Sequence, residues 1–385
     1  MEEKYKIASL LKSERELLGL TLKEVSERIG FPNYQTLSSI ESGERGIKAW
    51  ELAKLADIYG RDIDFFLLPE EGKNEVKILW RNPEESLKKE EIKRKFLLFC
   101  EKYKNLLKLL GEKEQENKEL LLYLQKNDLL NQKSFEYVEN IAKDYLRLLQ
   151  LGNRPSCSLA KILEEKVGIK IIYLELEAEI SGGSTAGDFG MAILINANDA
   201  PWRRNYDIAH EFFHLITWDY FSPEEIYERD KYGKNRIEQL ADVFASAFLL
   251  PEEELRNEFK KRVEEKHISY LDLNEIARQF DVSIEALMWR LVNLNLIEKD
   301  TVKREIEGGN INDFDKKFRS TDWRGEKPYL SLRYISLAIK AFQLEKISKA
   351  KFAEYVDKKF SEVSSFLKKY GYDENKDYSV AYDIT

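Results

Sequence analysis

The sequence predicts a multidomain, mainly α-helical protein that contains one small α+β domain and begins with an all-α unit. The chain has 385 residues, which is more than one hydrophobic core usually serves. Apolar residues recur three and four positions apart over most of its length, the spacing of amphipathic helices. After residue 155 this pattern is interrupted by two runs rich in β-branched residues, IKIIYLEL and MAILIN, which predict strands.

Composition describes a water-soluble protein with no general attraction for nucleic acid. Hydrophobic residues make up 43% and charged residues 34% of the chain. No apolar run approaches the ~18 residues of a membrane span, and the first ten residues lack a signal-peptide core. The chain has only two cysteines, Cys100 and Cys157, so disulfides are not expected to stabilise the fold, and a reducing cytoplasm is the expected location. The net charge is −8, so any contact with DNA has to come from a local surface.

Residues 5–68 are predicted to form a compact helical unit. Thr21 followed by Glu24 is a capping box that begins a helix, and Gly30 ends that helix. The next helix stops at Gly43, and the apolar segment AWELAKLADIYG forms another. Two short helices joined by a tight turn are the helix-turn-helix pattern.

Helices are also predicted on both sides of the mixed region. Residues 70–133 predict an amphipathic helical connector with a break near Gly111, packed internally or, alternatively, forming a dimeric coiled coil. Residues 134–300 hold the mixed domain and its trailing helices. Among these, 274–297 have helix-turn-helix spacing without a basic face, so we expect them to pack beneath the domain or clamp a substrate. Residues 301–385 are predicted to be helical, with an open role as a lid or a partner-binding region.

The stretch DIAHEFFHLITWDY contains two of the three histidines of the chain. On a helix, His210 and His214 lie one turn apart on the same face, where two imidazoles can bind one tetrahedral metal. Glu211 lies about 100° further round the helix, within reach of a water at the metal rather than of the metal itself. The alternative is two structural histidines beside a buried acid. His267 stands among charged residues and is expected to be a surface or interhelix residue.

A catalytic zinc needs a third protein ligand besides water. No histidine lies six residues after His214, so an acid from a later helix is expected. In RIEQLADVFASAFLLP, Glu238 borders an apolar helix face, where a carboxylate is costly unless it is paired or bound to metal. Ala241 and Ala245 are small enough for close helix approach. Asp242 can accept the second ring N–H of a ligating histidine, or alternatively is a solvent-facing or capping acid.

RRNYDIAHEFFHLITW followed by RIEQLADVFASAFLLP resembles the ImmA/IrrE metallopeptidases, whose hallmark is His-Glu-x-x-His and then Glu-x-x-Ala-(Asn/Asp)-x-Phe-Ala. The resemblance covers about residues 135–300 and implies a zincin-like fold. It implies Glu211 as the catalytic acid and base, and His210, His214 and Glu238 as metal ligands. Members are described as cleaving repressor proteins in stress and mobile-element regulation, and the resemblance implies such a substrate here.

Other features of the expected site follow from these assignments. Two histidines and a glutamate suit one divalent metal, Zn²⁺ first, with Mn²⁺ or Fe²⁺ also admitted. The family more often has Asn where this chain has Asp242, which leaves its supporting role open. The run MAILIN is the expected sheet edge for substrate binding by strand addition, and ISGGSTAGDFG is expected to be a glycine-rich turn. Tyr220, Tyr227 and Tyr232 are alternative oxyanion donors.

LKEVSERIGFPNYQTLSSIESGERGIKAWELAKLA resembles the XRE/Cro-type helix-turn-helix, which implies DNA binding, expected as a dimer. The turn before Ile40 is about one residue longer than usual and contains Pro32. Phosphates are expected to contact Arg45 and Lys48. The residues expected to face base edges are Asn33, Tyr34, Gln35, Ser38 and Ser39. Residues 1–69 hold ten basic and twelve acidic residues, few for phosphate binding, so a helical protein-interaction module is the alternative.

Two functions follow from this organisation. The first is a metal-dependent endopeptidase fused to a DNA-binding regulator, cleaving a repressor or partner protein in stress, mobile-element or toxin–antitoxin regulation. The second is a non-catalytic transcriptional regulator or antitoxin that binds a protein partner through a peptidase-like scaffold. The complete His-Glu-x-x-His motif favours catalysis, because a scaffold does not need Glu211. A peptidase switched on only by a partner or by metal availability is a third possibility.

Overall fold

The structure is a computed structural model. It describes residues 2–17, 20–59, 61, 63–67, 77–80, 87–112, 135–177, 180–221, 223–227, 229, 235–263, 267–319, 327–374 and 376. The chain divides into two compact units, the first comprising 1–76 and 85–105 and the second 77–84 and 106–385. The described residues are mostly helical, with one small mixed sheet in the second unit, and this confirms the predicted fold class.

The described part of the first unit consists mainly of helices, and the first five of them share an apolar core. Its helices are α1 (Glu2–Leu17), α2 (Leu22–Ile29), α3 (Tyr34–Glu41), α4 (Ala49–Tyr59), α5 (Asp64–Leu67) and α6 (Leu87–Leu110), the last as far as Asn105. The α6 helix ends at Gly111, at the predicted break. The core includes Leu11, Val25, Leu37, Leu52, Leu55 and Tyr59.

Local signals position the two helices of the helix-turn-helix pattern. The Thr21 backbone N–H donates to Glu24 Oε2 at 2.8 Å, and the Glu24 N–H donates back to Thr21 Oγ1 at 3.2 Å, so the capping box forms as predicted. Gly30 ends α2 in the left-handed region with a φ of 86°. The longer turn that follows ends at Asn33, whose Oδ1 accepts the N–H of Thr36 at 3.1 Å and begins α3.

The second unit contains a four-stranded sheet among the described residues. Its strands are β1 (Ile78–Trp80), β2 (Lys170–Leu174), β3 (Gly182–Gly187) and β4 (Gly190–Asn196), in the spatial order β1-β3-β4-β2. The β2–β4 pair is parallel and the other two pairs are antiparallel. The predicted edge position of MAILIN is wrong, because β4 lies between β3 and β2.

Two strands lie where the sequence predicted other structure. β1 falls in the segment predicted to be a helical connector, and it pairs with β3 across about a hundred residues of chain. β3 falls in the predicted glycine-rich turn. Its glycines are needed for close strand approach, because a Cβ at Gly182 would lie 2.6 Å from Leu194 O and one at Gly183 would lie 2.8 Å from Leu79 O.

Most of the remaining regular structure described in this unit is helical. They are α7 (Phe135–Leu149), α8 (Leu159–Ile162), α9 (Pro201–Ile216), α10 (Pro223–Tyr227), α11 (Arg236–Leu249), α12 (Glu252–Lys260), α13 (Tyr270–Gln279), α14 (Ile284–Asn293), α15 (Lys299–Glu307), α16 (Asn310–Arg319), α17 (Leu332–Gln343), α18 (Lys349–Tyr355) and α19 (Val363–Lys369). Around α8 the chain forms a 3-10 turn at Pro155–Cys157 and a π-helical turn at Leu163–Val167. None of the helices among the described residues is both long and apolar enough to span a bilayer.

The helix that carries both histidines is held between the sheet and a second helix. One side of α9 packs on β3 and β4, and another side packs on α11, which also contacts α7. Fully buried aromatic rings fill this junction; Phe212, Phe244 and Phe248 are the central ones, with ring centroids 5.1–6.0 Å apart. The α13–α14 pair joins the same core, which agrees with the prediction that these trailing helices pack beneath the domain.

Candidate metal centre

His210 and His214 point to the same place from one face of α9. Pro201 occupies the first turn of this helix, where its missing N–H leaves no intrahelical bond unmade, and the helix runs to Ile216. His210 is 1% exposed and His214 is 3% exposed. Their Nε2 atoms lie 3.3 Å apart, so both imidazoles present the same ring nitrogen to one point.

Glu238 completes a cluster of three potential ligand atoms. Its Oε2 lies 3.1 Å from His210 Nε2, and its Oε1 lies 3.2 Å from His214 Nε2. A tetrahedral zinc with bonds of about 2.0–2.1 Å places its ligand atoms about 3.3–3.4 Å apart. The distance between the two Nε2 atoms matches that spacing, and each Glu238 oxygen lies slightly closer than that to one of the two nitrogens. His210, His214 and Glu238 are the residues that the sequence predicted as ligands, and the structure brings them together.

The α11 helix places Glu238 by its cap and its small residues. Asn235 is the N-cap, and its Oδ1 accepts the N–H groups of Ile237 and Glu238, both at 3.0 Å. Ala241 and Ala245 are completely buried against the core. Burial alone would raise the pKa of Glu238, but hydrogen bonds with the two histidines outweigh it and hold the pKa below its usual range. The carboxylate form, the form that binds metals, is therefore favoured.

The second ring nitrogens of the two histidines have different surroundings. His210 Nδ1 lies 3.0 Å from Asp242 Oδ1, although the Asp242 side chain is half exposed. The Tyr206 hydroxyl donates to the backbone oxygen of Asp242 at 3.0 Å, so this acid is tied to α9 at two points. His214 Nδ1 is buried and has no hydrogen-bond partner among the residues that the structure describes.

Glu211 is buried beside this cluster. It is 1% exposed, and its Oε2 atom is buried with no hydrogen-bond partner among the described residues. A carboxylate oxygen left this way is costly unless a missing polar group approaches it. The donor set and this orphaned oxygen fit a divalent metal with a water beside it.

The three tyrosines considered as oxyanion donors have different positions. Tyr227, on α10, accepts the backbone N–H of Trp80 at 3.0 Å. Burial raises its pKa, and the charges of Glu238 and Glu211 raise it further. Tyr220 packs against the main core, and Tyr232 lies outside the described residues. The Tyr227–Trp80 contact was not foreseeable from sequence, because it joins residues 147 apart. His267 is exposed, as expected.

Most residues predicted to contact bases lie on the outer surface of α3 or at its start. Tyr34, Gln35 and Ser38 are exposed. Asn33 is exposed too, but its carbonyl oxygen is engaged in the cap of α3. Ser39 is half-buried, and its hydroxyl donates to the backbone oxygen at position 36.

The two predicted phosphate contacts differ in availability. Arg45 is bound by Glu51, with Nη2 to Oε1 at 2.7 Å and Nη1 to Oε2 at 3.1 Å. This pair raises the pKa of Arg45 through the Glu51 hydrogen bond and fixes the loop after α3. Lys48 is exposed, and only its backbone N–H contacts Glu51. The structure thus leaves Lys48 better placed than Arg45 to meet a phosphate.

Comparison with known families agrees with this architecture. Residues 164–292 match the peptidase family M78 model, described as the IrrE N-terminal-like domain. Residues 11–66 match a family model described as a helix-turn-helix. No curated protein matches the chain. The two matches confirm the resemblances seen in the sequence and include the residues of the metal cluster and the exposed face of α3. The chain therefore joins a helix-turn-helix DNA-binding domain to an ImmA/IrrE-like peptidase domain.

Proposed function

We propose that this protein is a metal-dependent endopeptidase fused to a DNA-binding regulator. One observation carries the proposal: the Nε2 atoms of His210 and His214 lie 3.3 Å apart, each is 3.1–3.2 Å from an oxygen of Glu238, and a buried oxygen of Glu211 has no partner among the described residues. Two structural histidines with a neighbouring acid would not need a second buried carboxylate without a partner.

The ligand set suits one divalent ion, Zn²⁺ first and Mn²⁺ or Fe²⁺ as alternatives. When bound, such a metal polarises the scissile carbonyl and makes water a better nucleophile near neutral pH. His210, His214 and Glu238 would hold it. Asp242 accepts the Nδ1–H of His210 and so fixes the tautomer that leaves Nε2 free to bind.

Glu211 is the proton carrier in this proposal. Its buried oxygen takes the proton of the attacking water and later passes it to the leaving amine. Tyr227 is the best supported of the three candidate oxyanion donors. Its oxygen accepts the Trp80 N–H, so the hydroxyl is held in place while its own proton can be donated to the substrate. A raised pKa keeps this hydroxyl protonated through neutral pH.

The helix-turn-helix supports DNA binding by the first unit. We propose that Tyr34, Gln35 and Ser38 meet base edges and that Lys48 meets a phosphate, with two copies on a palindromic site. The substrate we propose is a repressor or a partner protein, which fits a regulator that carries its own peptidase. Stress, mobile-element or toxin–antitoxin regulation are the settings implied by the resemblance.

The test compares cells that produce the wild-type chain with cells that produce Glu211→Gln. Mass spectrometry of newly formed protein N-termini should find some that occur only with the wild-type chain. The alternative function, a non-catalytic regulator or antitoxin with a peptidase-like scaffold, predicts identical N-termini in both. Glu211→Gln replaces one carboxylate oxygen with an NH2 group of similar size. Metal retained by the variant therefore shows that the site is still folded.

A further inference from the structure

A groove of about 780 Å³ adjoins the metal centre on the side of Asp242. Its walls come from the start of α9, from α11, from α14 and from α16. This volume is in the range of sites that hold ligands, about 300–1,000 Å³. Aromatic side chains form much of its apolar lining, namely Trp202, Tyr206 and Trp289.

Among the described residues that line the groove, acidic side chains outnumber basic ones. Five carboxylates line it: Asp199, Asp207, Asp242, Glu285 and Asp315. Two arginines offset part of this charge. Arg203 lies 3.6 Å and 3.9 Å from Asp199 and Asp207, and Arg319 lies 2.9 Å from Asp315. Carboxylates that line a cleft attract a cation more strongly than carboxylates on an open surface.

Two lining residues have polar groups left for a ligand. Ser246 is 7% exposed, and its hydroxyl has no hydrogen-bond partner among the described residues. Glu285, in the first turn of α14, forms no ion pair with any residue that the structure describes. A buried hydroxyl without a partner is costly on its own, so Ser246 indicates that a polar group of something else completes this wall.

The groove is connected to the proposed active site through two residues. Asp242 belongs to its lining and lies 3.0 Å from the Nδ1 atom of His210. Tyr206 also lines it and holds the backbone of Asp242. The metal-facing atom of His210 is Nε2, on the other side of the ring, so the groove adjoins the reaction centre without being its metal-facing side.

We propose that this groove binds an arginine or lysine side chain of the polypeptide substrate. The inference rests on the proposed peptidase function and adds a substrate preference to it. An arginine or lysine side chain combines an apolar stem with a cationic head. The stem suits the aromatic walls, and the head suits Glu285 and the other carboxylates, with cation–π attraction from Trp289, since the ring of Trp202 already faces Arg319 at 4.5 Å. An acidic side chain would be repelled by the same charges.

The test measures peptide binding by calorimetry to the full-length Glu211→Gln chain, in which turnover is blocked. The probes are acetyl-Ala-Ala-Xaa-Ala-Ala-amides in which Xaa is Arg, Lys, Met or Glu. We expect the Arg and Lys peptides to bind at least about fivefold more tightly than the Met peptide, and the Glu peptide to bind most weakly. Adding Glu285→Gln should reduce the Arg-over-Met preference about fivefold, because it removes one carboxylate charge.

Glu298→Gln is the matched control, because Glu298 is an exposed acid outside the groove. It should leave the preference unchanged. Equal affinities for all four peptides, no binding of any of them, or a preference that survives Glu285→Gln would overturn the proposal. The peptides are not cleaved in this assay. A chain that discriminates between the peptides but generates no new N-termini in cells would therefore refute the peptidase and keep the groove. A chain that generates new N-termini but does not discriminate between the peptides would refute the groove and keep the peptidase.

Discussion

Replacing Glu238 with glutamine should remove most of the metal affinity and leave the protein folded. Glu238 contributes one of three protein ligand atoms, with both of its oxygens 3.1–3.2 Å from an imidazole nitrogen. Glutamine forms helices nearly as well as glutamate. The N-cap at Asn235 accepts backbone N–H groups, which the substitution does not change. The α11 helix should therefore persist in Glu238→Gln.

The size of the loss follows from the number of ligands. Structural zinc sites with four protein ligands bind with about 10–16 kcal/mol, or about 2.5–4 kcal/mol per ligand. Losing one ligand of that strength weakens binding about 100- to 1,000-fold. The amide oxygen of glutamine is an uncharged and weaker donor, so it recovers little of this. By contrast, if Glu238 were only a first-turn acid favoured by the helix dipole, its contribution would be about 0.3–1 kcal/mol to helix stability and nothing to metal binding.

The assay is zinc titration of the purified protein against a chromophoric chelator of known affinity. Glu253→Gln is the control, since Glu253 is an exposed acid in the first turn of the next helix. Glu252 is less suitable, because it pairs with Lys143 at 3.1 Å and with Arg256 at 3.0 Å. Equal zinc dissociation constants for the Glu238 and Glu253 variants would refute the three-ligand site.

Three further changes have defined outcomes. Asp242→Asn should weaken zinc binding about 10- to 100-fold in the same titration while still saturating at one ion, because it alters only the partner of a ligand; an unchanged affinity would mean that Asp242 acts as a solvent-facing acid. Lys48→Ala should weaken binding to all DNA sequences alike and reduce the slope of log K against log salt by about 1, whereas a loss confined to one sequence would contradict its phosphate role. Hydrogen bonds from Lys261 and Arg262 lower the pKa of Glu258 to about 2, from an ordinary 4.5. Its stabilising effect is thus present above about pH 4.5 and is lost as the pH falls through about 2. At pH 7, Glu258→Gln should lower the Tm by roughly 2–4 °C, the effect of about 1 kcal/mol in a domain of this size, and calorimetry should show the difference shrinking below pH 4.5; a constant difference would refute this.

The parts of the site that sequence could predict are those fixed by helix geometry. His210 and His214 share a face because four residues span about one helical turn. Glu238 stood out because it is a carboxylate beside an otherwise apolar face, and the same spacing placed Asp242 one turn further on. Each of these positions can be predicted from the geometry of a single helix. Once α9 and α11 pack together, the small side chains of Ala241 and Ala245 let the two helices approach closely, which brings the three ligand residues together.

Features that depend on contacts between distant segments were not predictable in this way. Glycine usually weakens a strand, so β3 was predicted to be a turn, but Gly183 is needed for the close approach of β1. β4 is an inner strand because it pairs with both β3 and β2, and the pairing that makes β3 an inner strand comes from β1, about a hundred residues earlier. Arg45 was predicted to hold a phosphate because it is basic and near α3. Its pairing with Glu51 appears only when the loop and α4 are folded together.

Metal stoichiometry of the full-length chain tests the central claim most directly, because both the site and the reaction depend on it. Elemental analysis should find about one divalent metal per wild-type chain and the same amount in Glu211→Gln, since Glu211 handles protons and does not bind the metal. His214→Ala, which removes a ligand, should contain almost none. A wild-type chain that binds no divalent metal when supplied with it, or a Glu211→Gln variant as empty as His214→Ala, would contradict the account.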